Sequence, residues 1–167
     1  MNNKAILTQA PIECPEKTVL PEWIDYNGHM NMAYYHVVFD QCLDYVFDLL
    51  GVGADYVRDQ GSSMFSREVH VNYLAEAIEG QTLLVTFALL DHDSKRLHFL
   101  EQMYSKDSKE LLATSEQLAL HVNMAQRKSA PFPPEIRGQL EALADAHKTL
   151  PFPQAAGRTI GIRRSPR

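Results

Sequence analysis

One stretch of this chain, Met32 to Leu50, constrains the fold more than any other. Its apolar residues Met32, Tyr35, Val38, Phe39, Cys42, Val46, Leu49 and Leu50 recur at the i, i+3, i+4, i+7 spacing of a helix. Asp40, Asp44 and Asp48 fall every fourth residue and make one narrow acidic stripe, with nearly everything else on the helix free to be buried. Such a helix has to be enclosed on most sides. Asn31 stands where an N-cap is expected, and Gly51-Val52-Gly53 supplies the stop.

The second half of the chain can do the enclosing. From Ser63 onward the hydrophobic period changes to two, which predicts strands over about Ser63–Leu74, Thr82–Leu90, Leu97–Ser105 and Leu111–Val122. Glu79-Gly80, Asp91-His92-Asp93-Ser94 and Lys106-Asp107-Ser108-Lys109 divide them and are short enough for antiparallel connections. A further short strand is expected over Thr18–Ile24, ended by Asp25-Tyr26-Asn27-Gly28-His29, where Asn-Gly is a strong turn signal. Pro131, Pro133 and Pro134 close the last strand, and Ile136, Leu140, Leu143 and Ala144 predict a short amphipathic helix over Glu135–Lys148. The order is strand, long helix, four strands, helix. It predicts an α+β architecture in which an antiparallel five-stranded sheet wraps a long central helix, with a C-terminal helix outside. Residues 1–17 read as a loosely held, proline-punctuated arm, residues 18–150 as the domain, and residues 151–167 as a solvated tail containing Arg158, Arg163, Arg164 and Arg167.

The 167 residues, 45% of them hydrophobic, suit one globular domain and leave no room for a second. A net charge of −5, from 16 basic against 21 acidic residues, argues against a nucleic-acid footprint, which needs a basic face. Cys14 and Cys42 are neither a disulfide framework nor spaced as metal ligands, so free thiols in a reducing cytoplasm are expected. The start of the chain lacks the pattern of a secretory signal, and no apolar run is long enough to span a membrane. The seven histidines show no metalloenzyme spacing, so no metal is indicated.

The segment from Trp23 to Tyr35 carries a D-x-x-G-H-x-N pattern at Asp25, Gly28, His29 and Asn31, followed by Asp40. Here the chain resembles the 4-hydroxybenzoyl-CoA thioesterase family of hotdog proteins, which carry that pattern between strand one and the central helix. Tyr35 and Asp40 match the tyrosine and acidic residue that many members have on the helix. Tyr73-Leu74 and Gly80-Gln81-Thr82-Leu83-Leu84-Val85 are similar to the family's passage between strands two and three, with Ala75 and Gln81 as departures. A narrower likeness rests on Trp23–Met30, Lys95-Arg96-Leu97-His98, Leu111–Glu116 and Ala156–Gly161. These resemble the thioesterases that accompany, or are fused to, carnitine dehydrogenase. The resemblance implies a hotdog fold and hydrolysis of a small acyl-CoA, betainyl-CoA in the narrower case, with no cofactor beyond the coenzyme A of the substrate. It also implies a homodimer or homotetramer whose sites lie between subunits.

In that family the position of Asp25 supplies the nucleophile or general base. Thioester hydrolysis needs such a carboxylate, together with hydrogen-bond donors aimed at the developing oxyanion. Asp25 precedes a helix whose first amides, around Met32, have no intrahelical partner and carry the positive end of the helix dipole. Each residue has a plainer reading beside this one. Asp25 could serve as a turn residue or cap, His29 could fix the turn through its ring instead of touching substrate, and Asn31 could be a helix cap only. Asp40 reads as part of the solvated helix face. Trp23, Tyr26, Tyr34 and Tyr35 could offer aromatic faces to a quaternary ammonium group or simply belong to the core. Ser63, with Ser62 and Phe65, could line the pocket from this or a neighbouring subunit. Arg127 and Lys128 are candidates for the coenzyme A phosphates, or a solvated loop. Outside hydrolysis, the same fold admits a hydratase using an Asp/His pair, or an acyl-CoA-binding module without turnover.

Overall fold

The period-two stretches become strands within a residue or two of their expected ends. The computed structural model describes residues 3–162, so Arg163, Arg164 and Arg167 of the expected tail lie outside the described residues. In chain order the elements are α1 (Asn3–Leu7), β1 (Ile12–Glu13), β2 (Lys17–Thr18), α2 (Met32–Leu49), α3 (Ala54–Gln60), β3 (Ser62–Tyr73), β4 (Thr82–His92), β5 (Arg96–Ser105), β6 (Leu111–Asn123), β7 (Lys128–Ser129) and α4 (Pro134–His147). The sheet is antiparallel and runs β1-β4-β5-β6-β3, with β2 also on β4 and β7 also on β6. β3 is therefore a free edge.

The alternation sorts the side chains. Leu83, Val85, Phe87, Leu97, Phe99, Met103 and Ala113 point inward and form one core with Val38, Phe39, Cys42, Leu43 and Val46 of α2. Each such side chain, removed from water, stabilises the fold by about 1.5–3 kcal/mol. α2 begins as expected: the Asn31 Oδ1 accepts the Ala33 N–H at 2.9 Å. It ends at Gly51, whose φ of +72° is the left-handed conformation that favours glycine. α4 buries Ile136, Leu140 and Leu143. At its end, His147 accepts the Leu89 N–H at Nδ1 (2.8 Å) and donates from Nε2 to the Gln9 carbonyl (2.7 Å).

Four expectations need correction. The first strand is not Thr18–Ile24. Pairing with β4 occurs earlier, Ile12 opposite Phe87 and Lys17 opposite Leu83, in two short pieces separated by Cys14-Pro15-Glu16. Pro15, lacking an N–H, cannot continue the ladder. Pro21 then starts a single 3₁₀ turn, Pro21–Trp23. Second, the arm is not loose: Leu7, Ile12 and Cys14 are buried in the core. Third, Cys14 and Cys42 are joined in a disulfide between the arm and α2, their Cα atoms 5.6 Å apart. Fourth, α3 has no counterpart in the expected order. It is a surface helix with no buried residue, closed by Gly61 at φ +61°, and so leaves no hydrophobic period to read.

Candidate active site

The turn ahead of α2 is built by its own backbone. The Asp25 N–H donates to the His29 carbonyl and the Gly28 N–H to the Asp25 carbonyl, each at 3.0 Å. Gly28 takes φ +83°, which a side chain would resist. The Asp25 Oδ1 accepts the Asn27 N–H at 2.8 Å, which aims the half-buried carboxylate. At the helix start, the Asn31 side chain takes the Ala33 N–H and the Asn31 carbonyl takes the Tyr34 N–H. The Met32 N–H, the first of the helix, is left unclaimed among the described residues. A carboxylate on a rigid turn thus stands ahead of a free amide at the positive end of an 18-residue helix.

A second layer holds this turn in place. The Met30 N–H donates to the Ala77 carbonyl at 2.7 Å, and the Ala77 N–H donates to the Tyr35 hydroxyl at 3.0 Å. That hydroxyl donates in turn to the Ala75 carbonyl at 3.2 Å. Burial raises the Tyr35 phenol above its usual range, which keeps it a donor. The His29 Nε2 pairs with Glu76 at 2.9 Å, so the ring fixes the turn to the segment after β3. From the end of β3, the Tyr73 hydroxyl reaches the Met32 carbonyl at 3.4 Å. The sequence does not single out Glu76 and Ala77 for the site, and it marks Tyr73 only as part of the family likeness, because a pairing across some forty residues leaves no local signal.

Of the expected site residues, Asp25, His29, Asn31 and Met32 come together in this way, with Trp23 beside them through its carbonyl, which accepts the Asn31 N–H at 2.9 Å, and Ser63, Arg127 and Lys128 do not. Tyr26, in the same turn, is 97% exposed. Trp23 is buried and stacks on Tyr34 at 5.4 Å between ring centres, while Tyr35 makes an edge contact with Tyr73. Within one chain these rings are packing and bracing, not a cage. Ser63 stands opposite Val122 at the other end of β3 from Tyr73, about 33 Å away along an extended strand. Arg127 ends the exposed β6–β7 turn and Lys128 opens β7, opposite Asn123, also away from Asp25. Arg127 there shares a cleft of about 290 Å³ with Phe65, Arg67 and Met124; Lys128 is not part of it. Asp40 is exposed on α2, as its stripe predicts. Beside it, burial and then the charges of Asp40 and Asp48 hold the Asp44 carboxyl above the usual range. Among the described residues, no group of three or more His, Cys, Asp or Glu side chains is placed to hold a metal ion.

Three segments of the narrower likeness meet elsewhere, on the outer face of the sheet. The His98 Nε2 pairs with the Glu116 Oε1 at 2.8 Å, and the Gly157 N–H donates to the Glu116 Oε2 at 2.8 Å. They latch the segment at Gly157 onto the sheet.

The model of the thioesterase-like superfamily matches residues 19–140, the helix, the turn and the sheet just described. The chain belongs to that superfamily. Among its relatives in it, a betainyl-CoA thioesterase of Pseudomonas aeruginosa is 44% identical over 147 residues, covering 88% of this chain and 92% of the relative. An L-carnitine dehydrogenase/betainyl-CoA thioesterase of Rhizobium meliloti is 36% identical over 97% of this chain, which spans 32% of that longer protein. A solved Staphylococcus aureus protein in complex with CoA superposes with a TM-score of 0.86 at 27% identity, covering 93% of this chain and 97% of its own. The fold is the hotdog fold of these thioesterases.

Proposed function

We propose that this member of the superfamily hydrolyses betainyl-CoA to the free acid and coenzyme A. The observation that carries the reading is the Asp25 turn set ahead of the unclaimed Met32 N–H. The 44% identity to a betainyl-CoA thioesterase supports the acyl group. In this reading the thioester carbonyl oxygen accepts the Met32 N–H, and the helix dipole stabilises the charge that develops on it. The Asp25 carboxylate either attacks the carbonyl carbon, giving an anhydride that water opens, or takes the proton of the attacking water. Both routes release coenzyme A as the thiol. Coenzyme A enters only as part of the substrate, and no other cofactor takes part. His29 and Asn31 act by holding the turn and the helix start.

A homodimer completes the site, and two such dimers would make a tetramer. β3 is 12 residues long, unpaired along its outer edge, and exposes Phe65, Val69 and Tyr73. Edges of that kind pair readily with another strand. Antiparallel pairing of two copies along β3 sets the Ser63 end of one beside the Tyr73 end of the other. It carries the Arg67/Arg127 cleft toward the second copy's Asp25, where the guanidinium groups suit coenzyme A phosphates. We place the protein in the cytoplasm, as a coenzyme A thioester substrate requires, and in carnitine or betaine breakdown, which the fused relatives' names support. No helix among the described residues is long and apolar enough to cross a membrane. The Cys14–Cys42 bridge lends the cytoplasmic setting no support, and cytosolic reductants would hold such a pair open.

The test is thiol release by wild type and Asp25→Asn from betainyl-CoA, a short straight-chain acyl-CoA and an aromatic acyl-CoA. Wild type should favour betainyl-CoA, and the variant should lose about a hundred- to ten-thousandfold in rate while staying folded. A folded wild type that releases thiol from none of the three would refute hydrolysis.

A further inference from the structure

The inner face of β5 presents Leu97, Phe99, Glu101 and Met103, all with no exposed surface. A carboxyl group in that row is anomalous, since burying a charge without a partner is strongly unfavourable. The Glu101 Oε2 accepts the Gln117 Nε2 at 2.9 Å, and the same amide nitrogen donates to the Ser115 Oγ at 3.0 Å. The Ser66 hydroxyl donates to the Gln117 Oε1 at 3.3 Å. The Glu101 Oε1 has no partner, and Glu101 enters no ion pair among the described residues. The charge it feels from the helix packed over it is Asp40, of the same sign. This is a buried acceptor with no cation.

Its place in the ladder gives the acceptor a use. Val85, Met103, Ala113 and Tyr73 form one row across the sheet, and the Tyr73 hydroxyl of that row touches the carbonyl of Met32. Phe87, Glu101, Ser115 and Val71 form the next inward-facing row, two residues further along each strand, about 7 Å on. Beside these rows lies the seam between α2 and the free edge β3, where Met32, Val69 and Tyr73 are 62%, 41% and 42% exposed. An acyl group whose carbonyl is held at the Met32 N–H and which enters that seam meets the Glu101 row next.

Resting on the reading of the chain as an acyl-CoA thioesterase with its carbonyl site at Met32, we propose that Glu101 is the specificity-determining counter-charge for a cationic acyl group. Gln117 holds one carboxylate oxygen by a hydrogen bond and is itself steadied by Ser115, and the unpartnered Oε1 faces the cation. A trimethylammonium group offers no N–H, so it is recognised by charge and apolar contact alone, which a lone oxygen lined by Phe87 and Val71 suits. Asp40 adds to the same negative field.

The experiment compares kcat/KM for betainyl-CoA and for 3,3-dimethylbutanoyl-CoA, its uncharged isostere, in wild type, Glu101→Gln and Glu101→Met. The first variant keeps the shape and loses the charge, and the second keeps the length in a core of apolar neighbours. Wild type should prefer the charged substrate by about tenfold or more, as for a close, poorly solvated charge pair. Both variants should bring the two substrates close to parity. A preference that survives in the folded variants overturns the role of Glu101 and leaves the thioesterase reading standing. Equal turnover of the two substrates by wild type overturns the cation selectivity as well, and hydrolysis of neither overturns the activity itself together with this inference.

Discussion

Glu101 and Asp25 are two carboxyl groups in opposite settings. Asp25 lies on a turn with one oxygen tied to a backbone N–H, half open to water. Glu101 is sealed, and burial first, against the relief of the Gln117 hydrogen bond, holds its pKa well above the usual carboxylate range. The sign of the resulting pH dependence is definite. Below about pH 4.5 the group is protonated in both folded and unfolded chains; above it the unfolded chain gives up the proton and the folded chain does not. The contribution of Glu101 to stability is therefore greatest in acid and declines as pH rises toward its raised folded value. Glu101→Gln has no proton to lose. Thermal melts should show the stability of the variant, measured against wild type, increasing from pH 4 to pH 8, and parallel curves would contradict the assignment.

Among the elements, α2 depends on a brace from outside itself. Tyr35 sits in its first turn, and its hydroxyl joins the helix to the segment after β3 through Ala75 and Ala77, while Ala77 also holds Met30 beside the Asp25 turn. Ala77 is fully buried, so its N–H has no water to turn to if the hydroxyl is removed. Tyr35→Phe should cost about 1–3 kcal/mol in denaturant unfolding. It should also lower kcat, because the turn carrying Asp25 loses its support; unchanged stability would mean that the two bonds are not formed. Asn31 works at the same scale, capping the helix in a way that leaves the Met32 N–H available.

For the whole molecule the free edge at β3 is the feature that one chain leaves unfinished. Val69, in the middle of that strand, is 41% exposed, and a lysine there would put like charges opposite each other in an antiparallel pair of copies. Light scattering should give wild type as a multiple of the chain mass and Val69→Lys as the single chain, with thiol release lost in the monomer. A fully active monomer would show that Asp25 needs nothing from a second copy.

The length and caps of α2, four of the strands and α4 were legible in the sequence because each is written in a local period with Gly, Asn or Pro at its ends. The turn at Asp25 was legible for the same reason, the bonds of Asp25, Asn27 and Gly28 lying within a few residues, whereas the bonds that tie it to Glu76 and Ala77 were not. Periodicity assigns a side chain to a face but does not name its partner across the sheet. So the split of the first strand around Pro15, the meeting of Cys14 with Cys42 and the contact of Tyr73 with Met32 were decided by tertiary packing. Glu101 is the clearest instance. In the sequence it is one acidic residue on the face that Leu97, Phe99 and Met103 share, and only the register with Phe87 and Ser115 and the packing of the helix decide what surrounds it.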